Sequence, residues 1–175
     1  TKVPRMTAHK PLALTAATIA AAMALAACSG GASTDPNTIE IGSLYEPVNL
    51  SNIAGGGQGV TEALGGNVYE GLFSLADDGT IQPQLATSYD VSEDGLTCTF
   101  HLRDGVTFSD GSSFDAADAV HSINRVLADD SQSARKSQLA VINLVEATDP
   151  QTLTVTLSQR SISLPYNLSY LWMVP

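Results

Sequence analysis

The sequence predicts a mixed α/β fold carried behind an export leader. Three observations lead there. Short segments of alternating apolar and polar residues flank tight-turn sequences, as antiparallel strands do. One stretch in the second half has apolar residues at helical spacing behind an Asp placed to cap it. An uncharged apolar run follows basic residues near the N-terminus and ends at a cysteine, the layout of a cleavable leader. With 175 residues, 43% of them hydrophobic, the chain is long enough for an ordinary domain with a packed core.

The leader comes first. Lys2, Arg5 and Lys10 precede a run from Pro11 to Ala27 that has no charge. Its apolar core is about 15 residues, against about 20 for a bilayer span. It stops at Leu25-Ala26-Ala27-Cys28, which resembles the bacterial lipobox: a branched aliphatic residue, two small ones, then a thiol able to take a diacylglyceryl group. Residues 1–27 are therefore expected to be a lipoprotein signal peptide, with Met6 fitting an initiator, and Cys28 the lipidated residue. The alternative is an Ala-rich membrane anchor that ends in Cys. Ser29 to Thr34 continues as small flexible residues, so 28–36 reads as a tether. With Cys28 lipidated, Cys98 has no disulfide partner, and its place among Leu96, Phe100 and Leu102 makes it a small core residue.

The elements of the body, residues 37–175, follow in order. Thr38–Tyr45 reads as a strand with Ile39 and Ile41 on one face, and 46–59 as a Gly- and Asn-rich loop. Val60, Leu64 and Val68 have helical spacing and predict a short helix over 60–69, weakened by Gly65-Gly66. Phe73–Leu75 and Ile81 flank Asp77-Asp78-Gly79, a hairpin signal, and Ser88–Val91 and Leu96–Leu102 flank a second one at Ser92-Glu93-Asp94-Gly95. Thr97, Thr99, His101 and Arg103 form the polar side of that strand. Two turns follow at Arg103-Asp104-Gly105 and Ser109-Asp110-Gly111. Asp115 is the expected N-cap of a helix, assisted by Asp118, with Ala116, Ala119, Val120, Ile123 and Leu127 buried. A further helix is predicted at Ser133–Ile142. Leu144–Ala147 and Thr152–Leu157 make a last hairpin around Asp149-Pro150, and the chain finishes in an apolar stretch from Leu164 to Pro175.

Charge and residue types exclude several chemistries. Beyond residue 27, five basic residues face all 18 acids, a formal charge of −13 that disfavours nucleic acid as a partner. Of His9, His101 and His121, the first leaves with the leader, and neither of the others stands beside a nucleophile motif. Asp77-Asp78-Gly79 and Asp110-Gly111 lack the acid spacing and closing Glu of a calcium loop, so they read as turns. No Cys/His set suits zinc, and no Gly-rich loop leads into Lys-Ser/Thr. No cofactor is expected, and no catalysis.

One long succession is more specific than any of these. Val68-Tyr69-Glu70-Gly71-Leu72 is followed by Asp78-Gly79-Thr80-Ile81-Gln82-Pro83-Gln84-Leu85-Ala86-Thr87-Ser88-Tyr89. Then come Ser92 to Gly111, with Phe100-His101-Leu102-Arg103-Asp104-Gly105-Val106 at its centre, and Phe114-Asp115-Ala116-Ala117-Asp118-Ala119-Val120. This order and spacing resemble family 5 of the extracellular solute-binding proteins, which holds dipeptide, oligopeptide and nickel receptors. Cys98 and Asp115 are mild departures, standing where a large residue and a Thr are common.

The resemblance implies a type II, periplasmic-binding-protein-like receptor of two lobes that close on a solute by hinge motion, with only its N-terminal part present. It implies an inserted subdomain over about 70–160. The partners implied are a peptide or other small solute, and the permease and ATPase subunits of an ABC importer at the outer face of the cell membrane or in a periplasm. Tyr45, Glu46, Pro47, Asn49 and Leu50 are the candidate ligand-contacting residues, since members line part of the cleft there; a loop that merely joins strand to helix is the alternative. Two other functions fit the same scaffold: an envelope ligand sensor, and an exported enzyme with its catalytic groups elsewhere. The chain by itself is expected not to bind solute.

Overall fold

A computed structural model describes residues 57–175 throughout, together with Asn37, Leu44, Glu46, 49–51 and 53–55. The expected strand at Thr38–Tyr45 lies almost wholly outside the described residues, as do the leader and the tether. Residues Ser43–Pro175 form one unit.

The unit opens with helix α1, Gly57–Leu64, which buries Val60. Sequence periodicity placed this helix at 60–69; it starts and ends earlier. The Gly65 N–H still bonds the Thr61 carbonyl at 2.9 Å, but Gly66 takes φ +74°, a left-handed stop that leaves Val68 64% exposed. Strands β1 (Phe73–Leu75) and β2 (Ile81–Pro83) then pair antiparallel around the Asp77-Asp78-Gly79 turn, as expected. Asp78 Oδ1 fixes that turn by accepting both the N–H and the hydroxyl of Thr80, at 2.9 and 2.7 Å.

The main sheet has four antiparallel strands in the order β3 (Ala86–Val91), β4 (Thr97–Leu102), β6 (Thr152–Leu157), β5 (Ile142–Asp149). Two local hairpins, β3–β4 and β5–β6, thus join through the central β4–β6 pair, in which Phe100 faces Leu153 and Cys98 faces Val155. Strict alternation sends Cys98, Phe100 and Leu102 of β4 and Leu153, Val155 and Leu157 of β6 to one face, all buried. Each such side chain contributes roughly 1.5–3 kcal/mol by leaving water. The Thr residues between them take the other face.

Helix α2, Ala116–Leu127, packs on the β5–β6 half of that sheet. Its start is the predicted capping box: Asp115 Oδ1 accepts the Ala117 N–H at 2.7 Å, and Asp118 Oδ2 accepts the Asp115 N–H at 2.9 Å. The buried stripe is Ala116, Ala119, Ser122, Ile123 and Val126, whereas Val120 and Leu127 are only half-buried. Ser122 is tolerated there because its hydroxyl bonds both backbone groups of Val174, at 2.9 and 3.2 Å.

No helix forms at 133–142. The segment is a run of turns up to β5, with Ser131 and Ser133 hydroxyls accepting the N–H groups of Ser133 and Arg135. Those side chains compete with helical bonding, as Ser does, and redirect the chain. Lys136 closes the other side by donating to the Ala128 and Asp129 carbonyls just past α2, at 2.7 and 3.0 Å. A short helix, α3 (Leu164–Leu168), brings Leu171, Trp172 and Met173 into the core.

Candidate functional site

Glu46, Asn49 and Leu50 are described; Tyr45, Pro47 and the lipobox residues Leu25, Ala26, Ala27 and Cys28 lie outside the described residues. Asn49 is occupied with building its own loop. Its Oδ1 accepts the Ser51 N–H at 2.8 Å and its Nδ2 donates to the Ala54 carbonyl at 3.0 Å. The Ile53 carbonyl then accepts the Gln132 N–H at 2.9 Å, tying this loop to the turns after α2. Leu50 projects outward, 68% exposed.

Sequence reasoning missed an aromatic pair. Tyr69 follows the Gly65-Gly66 stop of α1, and Trp172 arrives from α3. Their rings stack with centroids 4.7 Å apart and planes 6° from parallel. The Met173 N–H bonds the Glu70 carbonyl at 2.9 Å, so the segment leaving α1 and the segment returning at the end run side by side. Glu70 is held from the sides by Gln84 Nε2 at 3.3 Å and Arg103 at 3.9 Å, while Gln84 Oε1 accepts the Gly71 N–H at 3.3 Å. These contacts pin the crossing point.

A cleft of about 280 Å³ opens at this crossing, bordered by Gly65, Gly66, Gly71, Tyr69, Tyr170 and Trp172, and none of its lining side chains is ionised. Next to it Arg135 stacks over Tyr170 at 4.2 Å, and the Tyr166 and Tyr170 hydroxyls lie 3.3 Å apart. That hydrogen bond, with burial behind it, pushes the Tyr170 phenol above its ordinary value. A second depression of about 390 Å³ lies among Val106, Phe108, Asp110, Phe114 and Met173–Pro175. Asp110 accepts the Ser112 hydroxyl and N–H there, and the hydroxyl bond holds its carboxyl below the usual range.

Several titratable groups make turns, as Asp78, Asp94 and Asp110 do. His101 Nε2 meets Asp90 Oδ2 at 2.9 Å on an exposed strand edge. Cys98 is buried and burial alone pushes its thiol up, away from reactivity. Among the described residues no group of three His, Cys, Asp or Glu is placed to hold a metal ion, and no helix is long and apolar enough to cross a membrane. What the crossing point offers is aromatic surface, bare glycine backbone and neutral polar groups, which suit holding a molecule.

Comparisons with known proteins agree on one relationship. The profile described as "Bacterial extracellular solute-binding proteins, family 5 Middle" matches residues 80–174, more than half of the chain. The glutathione-binding protein GsiB of Salmonella paratyphi A is 39% identical over 100 residues, 57% of this chain and 20% of that protein. Among solved structures, the periplasmic binding protein AgaA of A. tumefaciens R10 in complex with agropinic acid aligns with a TM-score of 0.67 at 34% identity, over 74% of this chain and 26% of that one. Haemophilus influenzae OppA complexed with the peptide RPPGFSPFR aligns at 0.69 over 74% of this chain and 29% of that one; at 23% identity it speaks for the fold alone. The chain spans about a fifth of the length of the curated relatives it matches. Its fold corresponds to part of a type II periplasmic binding protein.

Proposed function

The chain belongs to family 5 of the bacterial extracellular solute-binding proteins, and from that membership we propose that the protein captures peptides, or a closely related solute, outside the membrane and passes them to an ABC permease. The family match over residues 80–174 carries this reading. Glutathione, named for the GsiB relatives, is itself a small peptide, which favours peptides within the class. The work is binding rather than bond-making: main-chain hydrogen bonds to an extended ligand, with side-chain pockets wet enough to accept many sequences.

In this reading Cys28 carries a diacylglyceryl anchor set by Leu25-Ala26-Ala27, and 28–36 tethers the receptor to the outer face of the membrane. Residues of about 70–160 form an inserted subdomain, and the first loop, with Tyr45, Glu46, Pro47, Asn49 and Leu50, lines part of the cleft. Titration calorimetry of the full-length protein with short neutral peptides, glutathione, nickel–histidine and sugars tests the class. Saturable heat with peptides is expected; heat with none of these overturns solute capture. Metabolic labelling with palmitate should mark the wild type and not Cys28→Ser, and a label that persists in the variant overturns the anchor.

A further inference from the structure

A donor at the crossing point opens onto the cleft with no partner among the described residues. Trp172 is 5% exposed, and its indole N–H makes no hydrogen bond among the described residues. A tryptophan whose ring is buried normally presents its N–H to an acceptor, and here the open side is the cleft. The N–H is not sealed in the core either, since no fully enclosed side-chain nitrogen or oxygen goes unpaired. The nitrogen edge lies along Gly65, 3.7 Å from where a Cβ would stand, and both residues border the 280 Å³ cleft. Several of the other polar side chains lining the cleft are engaged, while the Tyr69 and Ser74 hydroxyls are open to it. Gln84 bonds Gly71 and Glu70, the Ser169 hydroxyl donates to the Tyr166 carbonyl at 2.7 Å, and the Tyr170 hydroxyl faces that of Tyr166.

From this we infer that the cleft at Tyr69 and Trp172 is a subsite for an uncharged main-chain amide of the ligand, whose carbonyl oxygen accepts the Trp172 indole N–H. The inference rests on the peptide-capture reading above and names the group recognised. Three features argue for an amide rather than an ionised terminus. The lining has no ionised side chain to offset one. At Gly66, where an added Cβ would meet nothing within 4 Å, bare backbone is left for a flat group to lie against, whereas Gly65 and Gly71 are required by the carbonyls of Thr61 and Ser169 packed on them. At about 280 Å³ the cleft sits at the small end of the roughly 300–1,000 Å³ of small-molecule sites, a size that suits a portion of a longer ligand. The stack on Tyr69 fixes the indole plane and therefore the direction of the N–H.

The test uses the full-length protein labelled with 15N at tryptophan, with Trp172→Phe to assign the indole resonance. Phe keeps a ring on Tyr69 and removes only the donor. A neutral tripeptide should move the Trp172 indole resonance downfield in the wild type. Trp172→Phe should weaken peptide binding by about 3- to 10-fold, the range of one neutral hydrogen bond. Peptide binding that leaves both the resonance and the variant's affinity unchanged overturns the subsite while peptide capture stands. A protein that binds no peptide overturns both. A resonance moved by a sugar or by nickel–histidine, and by no peptide, overturns the amide assignment. Should Trp172→Phe fail to fold, the resonance is assigned in the wild type by its nuclear Overhauser contacts to the Tyr69 ring stacked on it, and the inference stays open to refutation.

Discussion

Replacing Asp115 by Ala isolates the start of helix α2 and has a size that follows from its surroundings. Of the first free N–H groups of the helix, that of Ala116 is taken by the Pro150 carbonyl at 2.9 Å and that of Ala119 by the Asp115 carbonyl at 3.3 Å. Neither depends on the Asp115 side chain. The Asp118 bond to the Asp115 N–H also survives, because it uses backbone. What is lost is the side-chain half of the cap, the 2.7 Å bond from the Ala117 N–H and the capping-box bond from the Asp118 N–H, with a negative charge at the positive end of the helix. A lost cap is worth about 1 kcal/mol, and the charge about 0.3–1 kcal/mol at an exposed site. The total is about 1.5 kcal/mol. With a urea slope of about 2 kcal/mol/M, the unfolding midpoint should fall by about 0.7 M with the slope unchanged. Asp115→Asn keeps an acceptor and drops only the charge, so its midpoint should fall by less than half as much. Equal losses in the two variants would refute the claim that the bond outweighs the charge, and no loss in either would refute the cap.

Other expectations follow from single contacts. Gly95→Ala should destabilise more than Gly79→Ala in the same urea assay: both sit near φ +70 to +80°, but a Cβ at Gly95 meets the Arg160 side chain at 2.9–3.1 Å and one at Gly79 meets nothing. Phe100→Ala should lower stability by about 3–5 kcal/mol, since the ring is fully buried against Phe73 and Tyr89, and a smaller loss would mean the sheet face collapses over the gap. Asp94 has its carboxyl lowered by the Ser92 hydroxyl bond first, then by the Leu96 N–H and by Arg160. A folded value below the ordinary 3.8 means stability present above that pH and lost as pH falls through the folded value. Ser92→Ala should therefore flatten the acid limb of a pH–melting curve below about pH 4, and an unchanged limb would show that the bond does not form in solution.

What the sequence disclosed depended on how local the cause was. The capping box at Asp115 and Asp118 and the hairpin turns at Asp78-Gly79 and Asp94-Gly95 are set by residues within a few positions, and all of them formed as expected. The helix expected at 133–142 failed for an equally local reason: Ser131 and Ser133 bond neighbouring N–H groups instead. The buried stripe of α2 was misjudged at Ser122, whose polarity disguised a core position. Its partner, the backbone of Val174, is brought there by the fold and not by proximity in sequence. The cleft was illegible for the same reason. Tyr69 lay inside a familiar motif and Trp172 inside an apolar tail, and no periodicity announces that they stack.

The central pairing of β4 with β6 governs when this body can exist at all. Each outer hairpin closes over a handful of residues, but β4 gains its inner neighbour only after more than forty intervening residues have been supplied. Arg160 and Leu157 then reach back to the carbonyls of Asp94 and Leu96, sealing the seam. Joining such distant segments is slow, because the entropy of a large loop must be given up before any contact rewards it. A nascent chain paused before residue 152 would hold the β1–β2 and β3–β4 hairpins, the latter with a bare apolar side, but not the four-stranded sheet. Until that strand is supplied, the apolar side of β4 has no inner neighbour to cover it.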